Sequence, residues 1–144
     1  MPDFDLPRTG QRNLQFTGTL IASARSPSAD LHEREPRRKA KWFTCNLYQT
    51  AGGKWVLSIS YRWCGKLANE TERDLVEVFD HPQQAIEWAD GLDPMVEFVT
   101  GFPPDPYWAE RQETLTVKVN EDFGIMVERL EDALAKQQEP ERVE

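Results

Sequence analysis

The sequence predicts an α+β domain, a mostly antiparallel sheet of four to five strands with two helices packed on one face. Three observations carry that expectation. Alternating apolar and polar residues recur through the first 80 positions, which is the pattern of half-buried strands. A Gly-Gly pair at 52–53 separates two such runs and suits a tight hairpin. Apolar residues at helical spacing appear only later, near 85–92 and 123–134. Four or five mostly antiparallel strands with two helices segregated toward the C-terminal half is an α+β plan.

The first strand is expected in "LQFTGTLIAS", 14 to 23, with Leu14, Phe16, Leu20 and Ala22 on one face. Gly18 inside it marks a bulge or a close packing contact. Residues 1 to 13 read as a polar N-terminal arm, and 25 to 40 as a mobile basic loop with two prolines and no periodicity.

The hairpin "KWFTCNLYQTAGGKWVLSISYRWC", 41 to 64, allows a registry argument. A three-residue Ala51-Gly52-Gly53 loop places its last residue in the left-handed region, where glycine costs little. Thr50 then faces Lys54. Phe43 meets Tyr61, Cys45 meets Ile59, and Leu47 meets Leu57 on the core face. The other face pairs Trp42 with Arg62, Thr44 with Ser60, Asn46 with Ser58 and Tyr48 with Val56. Its polar centre reads as solvent-facing, with Arg62 across the Trp42 ring. A two-residue turn would pair core residues with polar ones, so register argues against it.

"ERDLVEVFD", 72 to 80, reads as a further strand. A short helix should follow, with Asp80 and Gln83 at capping-box spacing, Pro82 in the first turn and Gly91 at the stop. The prolines and aromatics of 93 to 112 predict an ordered loop. "ETLTVKV", 113 to 119, alternates as a strand does. Asn120 then caps a helix whose apolar stripe is Phe123, Met126, Val127, Leu130 and Leu134. The organisation expected is one domain over 14–137, with a disordered tail at 138–144.

Charge is divided unevenly. Residues 1 to 66 hold eleven Lys or Arg against five Asp or Glu, whereas 67 to 144 hold six against twenty. Such a bipolar chain solubilises its helices with acid, or offers the acidic side to a basic partner. An apolar run of 18 residues and a secretory leader are both missing, so the expectation is a cytoplasmic protein with no membrane partner.

Two cysteines, Cys45 and Cys64, point to opposite faces under this register, which sets them apart from a disulfide or a shared metal. His32 and His81 are isolated, and neither a GxSxG turn nor a phosphate-binding GxxxxGK[ST] loop occurs. No catalytic, metal or cofactor residue is therefore assigned. Two interaction segments stand out. "GFPPDPYW", 101 to 108, offers Phe102, Tyr107 and Trp108 to a protein partner, because stiffened aromatics lose little entropy on docking. "REPRRKAKW" offers Arg34, Arg37, Arg38, Lys39 and Lys41, which with Trp42, Tyr48 and Arg62 would track a phosphate backbone and stack bases.

"ETLTVKVNEDFGIMVERLEDAL" is similar to the strand-then-helix opening of ribbon-helix-helix DNA-binding proteins, but only ten residues follow Leu134, too few for their second helix. "GTLIASA" followed by "LYQTAGGKWVL" resembles a pattern in small uncharacterised bacterial proteins of mobile-element type. That resemblance spans about the first 60 residues and implies an origin without an activity. The reading that follows is a small non-enzymatic protein that binds a partner protein's surface, in an accessory, inhibitor or immunity-type role. The alternative is a nucleic-acid-binding accessory protein.

Overall fold

The computed structural model describes residues 2–35, 40–64, 72–99 and 106–138. The elements run β1 (Asp3–Arg8), β2 (Gln11–Arg25), α1 (Pro27–Arg34), β3 (Ala40–Thr50), β4 (Trp55–Cys64), β5 (Arg73–Phe79), α2 (Pro82–Asp90), α3 (Pro94–Glu97) and α4 (Pro106–Gln138). The strands pair in chain order, each antiparallel to the next. The fold class is therefore α+β, with four described helices where two were expected.

The central hairpin has the expected register throughout, from Trp42 opposite Arg62 to Tyr48 opposite Val56. Its loop closes with Thr50 N–H donating to the Lys54 carbonyl at 2.8 Å, and Gly53 has φ +87°. The Thr50 hydroxyl accepts from the Lys54 N–H at 3.0 Å. Turn chemistry and face parity select the same pairing, so no competing register survives.

One face of this hairpin forms the main core. Phe43, Cys45, Leu47, Leu57, Ile59 and Tyr61 are buried against Phe123, Met126, Val127, Leu130 and Leu134 of α4. Ala85, Ile86 and Ala89 of α2 close one side, and Phe98 and Val99 join them. The Phe43 ring meets Phe98 at 5.4 Å and Phe123 at 5.2 Å, both edge-on. Burying each such large side chain contributes roughly 1.5–3 kcal/mol, so the stripe alone is enough to hold α4 on the sheet.

The α4 helix corrects two expectations. Residues 113–119 are helical, and Asn120 lies mid-helix rather than at a cap. Val119 is buried and Leu115 half-buried in line with Phe123 and Met126, while Val117 is 65% exposed. The period is that of a helix, and the alternation was its coincidence. The ribbon-helix-helix likeness fails for the same reason, because its strand is absent. The ordered loop expected over 93–112 contains α3 and the first turns of α4. At α2 the cap is His81 rather than Asp80, and the Gln84 side chain accepts from the backbone N–H of His81 at 3.1 Å.

The N-terminal arm and the described part of the segment after β2 hold regular elements where an arm and a mobile loop were expected. Residues 3–8 form β1, and 27–34 form α1, which lies against β3. β2 is one 15-residue strand serving two layers. Its first part pairs with β1 and the part from Gly18 onward pairs with β3. At the changeover a Cβ on Gly18 would sit 2.3 Å from the Gln49 carbonyl oxygen, so only glycine fits this approach.

From there the β1–β2 ribbon folds over the sheet's outer face. Phe4 and Phe16 meet the Tyr48 ring at 4.6 and 5.3 Å, and Leu6 and Leu14 join the cluster of Tyr48, Val56 and Val76. At the tip the Thr9 N–H donates to the Asp74 carbonyl at 2.9 Å, and its hydroxyl accepts from the Asp74 N–H at 2.7 Å. The face expected to meet solvent is thus covered in part: Tyr48 is 5% exposed, Val56 1% and Ser58 7%, while Trp42, Thr44, Asn46, Ser60 and Arg62 are half-buried.

Candidate interaction surfaces

The residues proposed for base stacking are engaged within the fold. Tyr48 lies under the ribbon, where burial pushes its phenol up from the ordinary value. Trp42 stacks on His32 of α1, ring centroids 4.1 Å apart and planes at 13°. Arg62 does not lie across Trp42. Its Nε meets Glu72 Oε2 at 3.0 Å, its Nη2 meets Asp74 Oδ1 at 2.7 Å, and its Nη1 donates to the carbonyls of Tyr61 and Arg73. The Ser60 hydroxyl donates to the same Asp74 oxygen at 2.7 Å. A guanidinium satisfied on all sides is a structural clamp under the ribbon tip.

Of the basic segment, Arg34 is exposed at the end of α1 and Lys41 is half-buried at the start of β3, while Arg37, Arg38 and Lys39 lie outside the described residues. Phe102 also lies outside them. Tyr107 and Trp108 fall in the first turn of α4, their side chains outside what is described.

The thiol of Cys45 is free, 2% exposed and pushed up to about 12 by burial. Protonated and enclosed, it is a core filler rather than a nucleophile. Cys64 stands opposite Ala40 in the ladder, its side chain outside the described set. Among the described residues no three His, Cys, Asp or Glu side chains gather as a metal site would require, and no described helix is long and apolar enough to cross a membrane.

The helical layer has a different character. Glu121, Glu128, Glu131 and Asp132 of α4 are exposed, as are Glu87 and Asp90 of α2. The exposed cations on the described parts of α2, α3 and α4 are Lys118, Arg129 and Lys136. Arg129 is already committed, donating to Asp30 Oδ2 at 2.8 Å and to the Arg25 carbonyl at 2.9 Å. Burial works to raise the Asp30 carboxyl, but the Arg129 hydrogen bond and the Arg25 charge outweigh it and hold the group below its usual range. Within this layer Val96 of α3 is 68% exposed and Val117 of α4 65%.

Sequence reasoning located the acidic half and missed these two valines. In the sequence Val117 falls in a strand-like alternation, and Val96 in a proline-rich segment. The signal is helical spacing: the apolar stripe of α4 continues back through Val119 and Leu115 and leaves Val117 outside it. Compared with protein-family models, with curated proteins and with solved structures, the chain matches none.

Proposed function

We propose that this is a small non-enzymatic interaction protein that occupies the surface of a basic partner protein, in an accessory, inhibitor or immunity-type role. The observation supporting this reading is the helical layer. Glu121, Glu128, Glu131 and Asp132 share the solvent side of one helix, and Glu128 and Asp132 stand at i,i+4. Like charges at that spacing destabilise an isolated helix by ~0.2–0.5 kcal/mol per pair. A positively charged surface laid against them would relieve that repulsion and speed encounter. Val96 and Val117 add apolar area in the same layer.

The test is capture from a bacterial lysate, the source that the resemblance implies, with and without nuclease. The comparison protein carries Glu121, Glu128, Glu131 and Asp132 changed to Gln or Asn. A basic protein that survives nuclease and is captured about tenfold less by the variant, a loss of about 1.4 kcal/mol, supports the reading. Equal capture by both proteins sinks it. Capture of nucleic acid alone would transfer the function to the basic segment 34–41.

A further inference from the structure

β1 ends the sheet, and the phase of its ladder decides what its free edge offers. The Gly18 N–H donates to the Pro2 carbonyl at 3.1 Å. In an antiparallel ladder, exchange of hydrogen bonds alternates from pair to pair. Phe4 with Phe16 and Leu6 with Leu14 are then the bonded pairs, and Asp3 and Asp5 turn both N–H and C=O away from β2. The opposite strand agrees in phase: the Thr17 carbonyl, turned away from β1, accepts from the Ala51 N–H at 2.8 Å.

Among the described residues nothing bonds the outward groups of Asp3 and Asp5, and both residues are exposed. Two donors and two acceptors in a row form a template for another strand. Pro7 ends it, since proline offers a carbonyl and no N–H.

The side chains select the occupant. Asp3 and Asp5 lie on the ribbon's solvent side, both exposed. The Thr17 hydroxyl donates to Asp3 Oδ1 at 2.5 Å and steadies that carboxylate. An antiparallel second copy of β1 would bring aspartate beside aspartate, and like charges directly opposite are destabilising. Cations at alternate positions of an added strand would instead stand opposite each carboxylate.

We propose that the free edge of β1 takes up an extended segment of a partner protein with Lys or Arg at alternate positions. This rests on the reading of the chain as a protein-binding protein, but on a different surface from the helical layer.

The probe is a labelled six-residue peptide alternating Lys with Val, titrated onto the full chain by fluorescence anisotropy. One control has the same composition with its lysines in a block, and another has N-methylated backbone at alternate positions. The expected result is binding at least about tenfold tighter than either control, because strand addition uses backbone bonds and register together. Asp3→Asn with Asp5→Asn should weaken it about tenfold, with an unchanged thermal melt because both side chains are exposed. Equal affinity for the alternating and blocked peptides would reduce the effect to general charge attraction and overturn the proposal. So would an unaltered chain that dimerises in sedimentation and loses peptide binding on doing so, since a second copy would then own the edge. Absence of peptide binding with capture through the helical layer intact rejects this proposal alone, whereas loss of both rejects the parent reading.

Discussion

Cys45 faces Ile59 across the central hairpin, and its protonated, enclosed thiol has a direct consequence in solution. In native protein at pH 8 it should resist iodoacetamide for hours, then alkylate fully once urea is added, as peptide mass mapping would show. Rapid native labelling of Cys45 would mean that the core face opens. Its position was legible because a glycine loop fixes register and register fixes parity, both local properties. The burial of Tyr48 was not. Its cover comes from Phe4 and Phe16, more than 30 positions upstream, and nothing near Tyr48 announces them. Asp3-Phe4-Asp5-Leu6 does alternate, so β1 and its edge aspartates carry a short period-two signal.

Helix α1 shows how an element can depend on a distant one. Ser26 precedes it, but its hydroxyl accepts from the Phe43 N–H at 3.0 Å instead of capping the helix. Asp122 of α4 serves the helix start, accepting from the Ser28 N–H at 3.0 Å. Arg129, two turns along the same face of α4, holds Asp30. The Asp30 carboxyl titrates lower folded than unfolded, so its contribution is present above the ordinary carboxylate value and lost as pH falls through the folded value. Asp30→Asn should therefore lower the urea midpoint at pH 7, and the gap from wild type should close as acid takes the pH below the ordinary carboxylate range. A gap that persists in acid would assign the loss to geometry rather than charge. Partial exposure and salt screening keep the effect small. No sequence signal joined 30 to 129, because the contact depends on how α1 packs against α4 and not on the pattern of either segment. Helix α4 was itself misread where Thr114, Thr116 and Val117, all β-branched, imitated a strand.

At the scale of the whole molecule, the sheet is covered on both sides, by helices on one and by its own first hairpin on the other. Gly18 is where the chain passes between layers. Gly18→Ala would drive a methyl against the Gln49 carbonyl and should cost on the order of 2 kcal/mol, read as a lower urea midpoint together with faster amide exchange in β1. Unchanged exchange there would show that the strand absorbs the methyl without moving. The α+β class was readable because strands and helices are segregated along the chain; the double cover was not, since patterning marks an apolar face and not what lies upon it. Segregation also sets an order of events during synthesis. The five strands are translated before α4, so the side of the sheet bearing Phe43, Leu57 and Ile59 lacks its main cover until the stripe of α4 has been made. Through that interval the nascent chain presents a wide apolar surface to whatever surrounds the exit tunnel, and only the arrival of the stripe from Phe123 to Leu134 takes it out of water.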